Sequence, residues 1–521
     1  MPALASWTPD TSAYLKIGIS AAALGLVAWD LARSPLPASG SQAVTGLRTA
    51  RPKALRVLGL LGLLAYFNFG SFHFQGIYVH LWDSLHHVLG AKYIDELGYD
   101  GLYECIAVAD AEDPHLAARA GERLITDLRT NRTVTAADVV LHPERCRARF
   151  SEPRWASFKA DVDVFRARFP DADWQKVTGD HGFNASPVWV LAARPFVASA
   201  PITDTRLAML ASIDPVLMLA AFAALAWAFG FERAALAAIV WGTYFPARLW
   251  WTGGSFLRWD WVAALLGGVA LCRRGRPVLA GVLIGYAALS RVFPGFALVG
   301  VAFAIATAWI RRRPLQRDAV RVLAGAAIVA SLLIPLSSSV VDRPIWSEFA
   351  RNLAKHTSVP SPNRMGLATV LTFDPGTSLQ TLERLGSRDP RSEWEAAHAR
   401  ALGNRRGWWL AVALGWAVAV ALATRDQPTW TACLLGLLLV PFGTPLACYY
   451  YAFVAGLPLL SERRGDVAAI VLALSVASAI VGRLSRYAMD DQYAAQSLLV
   501  IPALAFIVSS FLTRRIVSAD G

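Results

Sequence analysis

Long apolar runs alternate with short polar connections along most of the chain. Each run is about 15 to 22 residues long, close to the ~20 residues with which an α-helix crosses a bilayer. The pattern therefore predicts an all-α polytopic membrane protein with about 13 transmembrane helices. The predicted spans are 13–30, 55–72, 206–229, 234–251, 259–272, 277–290, 293–310, 321–338, 407–423, 429–443, 448–461, 467–482 and 496–512.

Basic residues gather in the short connections between the runs. Alternating the predicted spans places every basic cluster on one side, which the positive-inside rule identifies as the cytoplasm. The C-terminus is then cytoplasmic and the N-terminus lies outside. Residues 1–30 lack arginine and a small-residue cleavage site after a basic start, so we expect no removable signal peptide. The basic clusters occupy 32–56, 273–276, 311–321, 461–465 and 513–515.

The composition agrees with this pattern. Of the 521 residues, 55% are hydrophobic, only 17% are charged and 19 are tryptophans. The net charge of +12 comes largely from the short connections, so we expect no nucleic-acid partner. We expect an integral multi-pass protein of the cytoplasmic (inner) membrane, surrounded by membrane lipids.

Two long polar segments interrupt the spans, and both fall on the outer side. All nine histidines of the chain lie in these two segments. Histidine is costly in lipid, which accounts for its avoidance of the spans. The chain thus divides into an N-terminal span with a basic loop (1–54), a second span (55–72), a first outer segment (73–205), a block of spans (206–338), a second outer segment (340–406) and the remaining spans with a cytoplasmic tail (407–521).

The first outer segment is too long for a simple connector. Ala- and Arg-rich stretches with helical spacing predict a small helical extracytoplasmic subdomain between spans 2 and 3. Pro187 and Pro195 near its end predict an extended or re-entrant stretch at 179–196. Cys105 and Cys146 are the only cysteines of the segment. In an oxidising compartment they either form a disulfide or remain two buried thiols.

The stretch "HLWDSLHH" at 80–87 places an acid among histidines just beyond span 2. An amphipathic helix on the outer membrane surface would bring His80, Asp83 and His87 to one face. Three interpretations compete. Asp83 is a general base for an acceptor hydroxyl, or the three residues bind a divalent metal such as Mn or Zn, or the helix is solvated and has no chemical role.

Basic residues also stand at the outer tips of the spans. Arg291 interrupts an apolar stretch just before Phe293, and Arg258 and Asp260 stand at the start of a span in "TGGSFLRWDW". A fixed cation at headgroup depth suits a lipid phosphate. The alternative is a snorkelling arginine or an interfacial anchor without a function.

The remaining candidates lie in the second outer segment and at a late tip. "KHTSVPSPNRMGL" contains Lys355, His356 and Asn363, and "PFGTPLACYYY" contains Tyr449 and Tyr450. Tyrosine rings could line a sugar pocket, since an aromatic face packs on a sugar ring. An aromatic belt at headgroup depth explains the same tyrosines equally well.

Taken together, these motifs resemble the GT-C superfamily of polytopic glycosyltransferases, most nearly glycosyltransferase family 87. The resemblance extends from about Ala54 to Arg515, although only short motifs carry it. The chain departs from the family in having "GGSFLRWDW" where a Gly-Gln-x-Asn turn is usual, a tyrosine pair where a histidine pair is usual, and an additional first span. The matching motifs are Asp83, Ala185-Ser186-Pro187, "GYAALSRVFPG" with Arg291, the loop from Asn363 to Leu367, and Tyr449-Tyr450.

The resemblance implies transfer of a sugar from a polyprenyl-phosphate donor to a glycan or lipid acceptor on the extracytoplasmic face. Asp83 would be the catalytic base, and Arg291, helped by Arg258 or Lys355, would bind the donor phosphate. No cofactor would be required, because a phosphate paired with cations leaves readily, although the histidines keep a divalent metal possible. Substrate contacts would come from Trp82, His86, His87, Asp260, His356, Asn363, Tyr449 and Tyr450.

Two other function classes compete with a transferase. A lipid or polysaccharide transporter of the flippase type would explain the spans and the arginines without chemistry. Transporters often contain two related halves, and this sequence contains no evident repeat. An assembly partner of a cell-envelope complex, docking through residues 73–205, would leave the arginines unexplained. Because the candidate residues face away from the cytoplasm, a nucleotide-sugar donor is disfavoured.

Overall fold

The chain is almost entirely helical in a computed structural model that describes residues 8–33, 42–73, 77–484 and 489–513. Within these residues, seven helices are long and apolar enough to cross a membrane. The chain is therefore an all-α membrane protein in its main architecture, as the apolar pattern predicts. The seven helices are Pro9–Ala32, Asp204–Phe229, Phe293–Ile310, Arg317–Ser339, Pro390–Ala423, Asp466–Arg483 and Met489–Thr513.

The other six predicted spans also fall on helices, but these are shorter or more charged, so the count of thirteen stays a prediction. A 14-residue helix such as Asp260–Arg273 is about 21 Å long, less than the ~30 Å of a hydrocarbon core. The six helices are Gln42–Tyr66, Phe231–Thr243, Asp260–Arg273, Pro277–Ser290, Thr429–Gly443 and Cys448–Glu462.

The segment Cys448–Glu462 is wound as a 3₁₀ helix over 15 residues. A 3₁₀ helix rises ~2.0 Å per residue, so this segment reaches about 30 Å, whereas an α-helix of the same length reaches about 22 Å. Such long 3₁₀ runs are uncommon because their side chains eclipse at every third position. Here the segment packs against the helices Phe231–Thr243 and Asp466–Leu484, and most of its side chains are buried.

Two predicted spans leave the α-helix before their predicted end. The first, 55–72, is α-helical only as far as Tyr66 and continues in the short turn Asn68–Gly70. The run 234–251 is an α-helix only as far as Thr243, because Pro246 has no N–H to continue the backbone hydrogen bonds. Two short turns follow, Phe245–Ala247 and Leu249–Thr252. The prediction of one continuous span to residue 251 is therefore wrong, and irregular backbone occupies the end of this run.

Several helices pack against each other through glycines. A Cβ atom on Gly242 would lie 1.8 Å from the carbonyl oxygen of Gly62 in the helix Gln42–Tyr66. A Cβ atom on Gly300 would lie 2.7 Å from the Cα atom of Gly436 in another helix. Apolar side chains gain little by leaving lipid, so small residues that permit close backbone approach favour helix association in membranes.

The basic connections meet at one end of the helix bundle. Arg273 pairs with Glu462 at 2.7 Å, and Arg51 approaches Glu232 at 3.5 Å, although these residues are far apart in the sequence. The first outer segment follows the other end of the helix that contains Arg51. These pairs place two of the basic connections away from the first outer segment, and the alternation of all the predicted spans stays a prediction.

The first outer segment folds as a mainly helical subdomain with its own buried core. Sequence analysis did not anticipate its β-hairpin, in which Leu124–Asp127 pairs antiparallel with Arg132–Thr135. A disulfide joins Cys105 to Cys146, with their Cα atoms 5.6 Å apart. The main helices of the subdomain are Leu102–Ala111, Ala117–Ala120, Ala137–Leu141, Glu144–Arg147, Glu152–Arg166, Asp171–Val177 and Pro187–Val197.

Residues 81–97 do not lie on a membrane surface, contrary to the prediction. The side chains of Leu85, Leu89 and Tyr93 are completely buried in the core of the subdomain. Periodicity alone does not distinguish an apolar face that meets lipid from one that meets protein. The stretch consists of consecutive helical turns, Leu81–Ser84, the π-helical turn Leu85–Leu89, Gly90–Lys92 and Ile94–Leu97.

The predicted extended or re-entrant stretch at 179–196 is wrong for its second half, which is helical, whereas residues 181–186 have no regular secondary structure. Pro187 occupies the first turn of the helix Pro187–Val197, where its missing N–H costs nothing. Ser186 caps this helix by accepting a hydrogen bond from the backbone N–H of Trp189 at 3.2 Å. The proline signal therefore marked the start of a helix.

The second outer segment packs on the subdomain. Ile345 and Phe349 of the helix Ile345–Ser358 are buried in the same core as the subdomain helices. The strand Arg364–Met365 pairs antiparallel with Leu446–Ala447, which ties this segment to the late spans. Its other elements are Leu367–Thr372, Pro375–Thr377, Leu379–Arg384 and the first half of Pro390–Ala423, which begins well before the predicted span at 407–423.

Candidate functional site

Asp83, His87 and Arg258 form a buried triangle of contacts. Oδ2 of Asp83 lies 2.9 Å from Nε of Arg258, and Nη1 of Arg258 lies 2.5 Å from Nε2 of His87. Nδ1 of His87 donates to the backbone oxygen of Asp83 at 3.0 Å. The side chains of Arg258 and His87 are each 4% exposed, whereas that of Asp83 is 14% exposed. The acid is therefore the most solvent-accessible member of the triangle.

A second acid positions the arginine. Oδ2 of Asp214 accepts hydrogen bonds from the backbone N–H groups of Arg258 at 2.7 Å and of Trp259 at 3.1 Å. Asp214 is 1% exposed and belongs to the candidate span Asp204–Phe229. An acid inside the bundle thus holds the loop from which Arg258 reaches Asp83.

The contacts of the triangle determine its protonation states. Burial alone would raise the pKa of Asp83, but the Arg258 guanidinium and the nearby histidines outweigh burial and lower that pKa to about 2. Burial, reinforced by Arg258, lowers the pKa of His87 to about 3. Near neutral pH Asp83 is therefore ionised and His87 is neutral. A carboxylate with so low a pKa is a weak base while its cation stays in place.

His80 does not join Asp83 and His87 in a metal-binding arrangement. Its Nδ1 accepts the backbone N–H of Asp83 at 3.1 Å, and its Nε2 lies 3.0 Å from the carbonyl oxygen of Trp250. A neutral imidazole has one donor and one acceptor nitrogen, so backbone groups occupy both. Within the part of the chain that the structure describes, no group of three His, Cys, Asp or Glu side chains is placed to hold a metal ion.

Trp189 is near both Arg291 and His87. The guanidinium carbon of Arg291 is 5.8 Å from the ring centre of Trp189, and that ring is 5.3 Å from the ring of His87. Nη1 of Arg291 donates to the carbonyl oxygen of Ser290 at 2.9 Å, while Nη2 is buried and has no hydrogen-bond partner. A buried donor without a partner costs roughly 1–3 kcal/mol, and more when it is charged. An anion bound beside Arg291 would satisfy it.

Asp260 anchors the hairpin that carries Arg291. Its Oδ2 accepts hydrogen bonds from the hydroxyls of Tyr286 and Ser290, both at 2.8 Å. Ser290 ends the helix Pro277–Ser290 and immediately precedes Arg291. Asp260 therefore orients the hairpin, which differs from the direct substrate contact predicted for it.

Tyr449 and Tyr450 form an aromatic wall next to Arg258 and beside the hairpin that carries Arg291. The guanidinium carbon of Arg258 is 5.7 Å from the ring centre of Tyr449, and the two tyrosine rings are 4.5 Å apart. Tyr450 lies 5.1 Å from Phe293, which follows Arg291 in the hairpin. The late tip thus contacts Arg258 and the hairpin of Arg291, and its rings could pack against a ligand held at Arg258.

Trp82 and His86 face the subdomain rather than Asp83. The indole Nε1 of Trp82 donates to Oδ2 of Asp180 at 2.7 Å. Nε2 of His86 lies 2.7 Å from the hydroxyl of Tyr103. Successive helical residues point about 100° apart, so the neighbours of an inward residue on a helix necessarily face elsewhere. Their placement does not support the predicted substrate contacts.

Lys355 and His356 join the two outer segments. Nζ of Lys355 donates to the carbonyl oxygen of Leu128, and the ring of His356 is 5.7 Å from that of His181. In the described residues, neither Lys355 nor His356 forms a hydrogen bond or an ion pair with Asp83, Arg258 or Arg291. The placement therefore does not support a phosphate contact for Lys355 or a substrate contact for His356.

Asn363 lies closer to the predicted site. Its carbonyl oxygen accepts the backbone N–H of Cys448 at 2.8 Å, immediately before Tyr449. Its side-chain oxygen accepts the hydroxyl of Ser361 at 2.9 Å. Asn363 therefore supports the aromatic tip through its backbone.

Two residues of this region escaped the sequence analysis. Asp214 had a usable signal, because an acid inside an apolar run is costly unless it has a partner or a role. Trp189, which contacts His87 and Arg291, had no such signal, since it resembles any aromatic residue in an apolar stretch. Only the packing of the subdomain helix Pro187–Val197 against the bundle brings it to the arginines.

Asp83, His87, Arg258, Arg291 and Tyr449, hereafter the Asp83 site, combine an ionised carboxylate, two arginines and an aromatic wall. Such a set can bind an anion at the arginines and accept a proton at the carboxylate. No family model matches the chain, and no curated protein or solved structure is significantly similar to it. The likeness to glycosyltransferase family 87 therefore rests on the short motifs, and the site geometry must carry the functional argument.

Proposed function

We propose that the chain is an integral-membrane glycosyltransferase that moves a sugar from a polyprenyl-phosphate donor to a glycan or lipid acceptor. The observation that carries this proposal is the buried, unpartnered Nη2 of Arg291, which shares a cluster with Arg258 and the partly accessible carboxylate of Asp83. An unsatisfied guanidinium donor suits a phosphate oxygen, and a nearby carboxylate suits an acceptor hydroxyl.

In the proposed reaction, Asp83 accepts the proton of the acceptor hydroxyl. The acceptor oxygen then forms a bond to the anomeric carbon while the bond from that carbon to the phosphate oxygen breaks. The electron pair of the broken bond leaves with polyprenyl phosphate, whose charge Arg291 and Arg258 stabilise. A single displacement inverts the configuration of the anomeric carbon. The tyrosine wall would pack against the sugar.

The ion pair between Asp83 and Arg258 gives the donor a second role. While Arg258 holds Asp83, the pKa of about 2 makes the carboxylate a poor proton acceptor. A donor phosphate that accepts hydrogen bonds from the Arg258 guanidinium would compete with Asp83 for this cation. The weaker ion pair would raise the pKa of Asp83. Donor binding would therefore activate the base before the acceptor reacts.

The topology that accompanies this proposal follows the positive-inside rule. The Asp83 site would face the extracytoplasmic side of the inner membrane, in the cell envelope, and the C-terminus would be cytoplasmic. The reaction requires no cofactor, because two arginines can offset the charge of a phosphate leaving group. The sugar and the acceptor are left to experiment.

The test uses purified full-length protein in lipid nanodiscs with a panel of polyprenyl-phosphate sugars, and it measures release of free polyprenyl phosphate. Asp83→Asn should slow release by about 10²–10⁴-fold, the usual contribution of a general base. Arg291→Ala should slow it by about 10²–10³-fold, the usual effect of removing one stabilising donor.

Matched controls separate chemistry from folding. Asp138→Asn changes an acid of the subdomain whose side chain is 69% exposed, and Arg206→Ala removes an arginine at the start of the Asp204–Phe229 helix. Both should retain activity within a few-fold, and all variants should keep the wild-type elution profile. Intact donors throughout the panel, or normal turnover by Asp83→Asn, would refute the transferase proposal and make lipid transport the function to test.

A further inference from the structure

A second pair of basic side chains lies at the subdomain end of the bundle, outside the Asp83 site. Lys16 belongs to the helix Pro9–Arg33, and Arg248 belongs to the irregular backbone after Thr243. Nζ of Lys16 donates to the side-chain oxygen of Asn68 at 2.6 Å, an oxygen that also accepts from Ser12 at 2.9 Å. Both cations are partly buried.

This pair lacks a counterion. Among the described residues, no carboxylate lies within ion-pair distance of either Lys16 or Arg248. The helix that carries Lys16 and the turn Phe245–Ala247 that precedes Arg248 both pack on the helix Asp466–Leu484, and Arg248 is the charged group that acts on Lys16. The nearest acid on the same helix, Asp10, is paired with Arg483 instead. Two like charges at the edge of a bilayer repel each other and are poorly solvated, so their placement is costly without an anion.

The guanidinium of Arg248 is held in place but not satisfied. Its carbon stacks 4.0 Å above the ring centre of Phe245, and its Nε is buried without a hydrogen-bond partner. The Phe245 ring in turn occupies the space where a Cβ atom on Gly482 would stand, at 2.3 Å. The surrounding structure therefore fixes a cation whose Nε has no partner among the described residues and can donate to a ligand.

The position of the pair favours a ligand that arrives through the membrane. Tyr14 is 56% exposed and Trp250 is 51% exposed, so aromatic side chains on both segments face outward. Tyrosine and tryptophan prefer the headgroup level of a bilayer. Irregular backbone such as 244–253 is tolerated at this depth only where it is buried or lines a polar cavity.

We propose that Lys16 and Arg248 bind the phosphate of a membrane lipid at a site separate from the Asp83 site. A phosphate oxygen would accept hydrogen bonds from Nζ of Lys16 and from the guanidinium of Arg248, which supplies the missing anion. The same chemistry is present in a prenyl phosphate and in an anionic phospholipid. The inference does not depend on sugar transfer.

The bound lipid would neighbour the Asp83 site. The ring of Trp251 lies 6.3 Å from that of Tyr449, and Tyr449 faces Arg258. A lipid held at Arg248 would therefore lie beside the aromatic wall, with its chain directed into the bilayer.

The test measures how fast an amine-reactive ester acylates Lys16 in the full-length protein, with each lysine mapped by mass spectrometry. Four preparations are compared, all in dodecyl maltoside micelles that contain no phosphate: micelles alone, with farnesyl phosphate, with phosphatidylglycerol, and with inorganic phosphate. Protection of at least roughly tenfold is expected with one or both phosphate lipids, as a bound anion engages the ammonium group. Lys159, paired with Glu112 in the subdomain, should react equally in all four and serves as the internal control.

Each outcome decides the proposal. Protection by farnesyl phosphate alone identifies a prenyl-phosphate site, and protection by phosphatidylglycerol, with or without farnesyl phosphate, identifies a general phospholipid site. Equal protection by inorganic phosphate overturns the assignment to a lipid, and unchanged acylation in every arm overturns the site. Arg248→Gln should abolish the protection, whereas Arg206→Gln, a cation at the start of a neighbouring span, should preserve it. If Arg248→Gln does not fold, the wild-type measurements decide alone.

Discussion

Arg258 lies 2.9 Å from Asp83, so the acid expected to accept a proton is already paired with one of the cations expected to bind phosphate. The same arginine contacts His87, and burial, reinforced by this cation, lowers the pKa of His87 and keeps its imidazole neutral. A carboxylate and a cation that compete for each other can be separated by an anionic ligand. The Asp83 site thus links anion binding to the basicity of its carboxylate.

Breaking this pair should destabilise the protein. Arg258→Gln leaves Asp83 buried without its cation, and removing one partner of a buried ion pair typically costs about 3–5 kcal/mol. The double variant Asp83→Asn/Arg258→Gln should lose less than the sum of the two single losses, because neither charge is then stranded. Thermal unfolding in nanodiscs measures all three. Additive losses would show that the two side chains act independently.

The protein should become less stable as the pH is lowered, because His87 is neutral in the folded state. The pKa of His87 is lowered from about 6.5 to about 3, so between these values the unfolded chain binds a proton that the folded chain excludes. Above about pH 6.5 His87 does not reduce the free energy of unfolding. Below that pH the free energy of unfolding decreases by up to about 1.4 kcal/mol per pH unit.

The measurement for this prediction is the unfolding temperature between pH 7.5 and pH 5. His87→Gln should flatten the curve, because glutamine does not titrate. His142→Gln, which changes a histidine whose side chain is 46% exposed, should leave the slope unchanged. Equal slopes for wild type and His87→Gln would contradict the assignment. Asp83 affects stability in a lower pH range. Because its pKa is lowered in the folded state, its contribution to the free energy of unfolding is lost as the pH falls from about 4 to about 2.

Asp214 should act by positioning Arg258. Asp214→Asn keeps one oxygen that can accept the backbone N–H groups of Arg258 and Trp259, whereas Asp214→Ala removes it. The Asn variant should therefore retain most of the donor turnover. The Ala variant should turn over donor at least roughly tenfold more slowly, because misplacing Arg258 raises the activation free energy by about 1.4 kcal/mol or more. Rescue of Arg258 geometry by Asn distinguishes positioning from proton transfer. Equal activity of the two variants would contradict this role.

The disulfide should stabilise the subdomain. Cys105 and Cys146 are 41 positions apart, and the loop-entropy model gives about 4 kcal/mol for a loop of that size. Cys105→Ser and the double Cys105→Ser/Cys146→Ser variant should lose similar stability, because either one removes the bond. A reducing agent should lower the unfolding temperature of the wild type to that of the variants. Insensitivity to reduction would mean that the bond contributes nothing.

Close helix packing should make Gly242 intolerant of a side chain. Gly242→Ala would place Cβ 1.8 Å from the Gly62 carbonyl oxygen, so the helices must separate. Overpacking of this kind typically costs about 1–3 kcal/mol. Gly415→Ala is the matched control, since nothing lies within 4 Å of its added Cβ. The two variants should differ in unfolding temperature, and equal values would show that this contact yields readily.

The sequence predicts only some of the residues of the Asp83 site. Asp83, Arg258 and Arg291 drew attention because a charge beside an apolar run needs a partner or a role. The same reasoning could have included Asp214, and it failed for Trp82, His86, Lys355 and His356, which share polar surroundings but face other partners. Side-chain direction depends on how an element is packed, which a single-sequence pattern does not record.

The sequence by itself determined the membrane architecture, because the apolar runs and basic connections reflect local transfer free energies that do not depend on distant contacts. It also indicated the helical character of the first outer segment. The break after Thr243, the buried course of residues 81–97 and the pairing of Asp83 with Arg258 were decided by the tertiary structure. His87 and Arg258 are 171 positions apart, and only the packing of the subdomain onto the bundle brings them into contact.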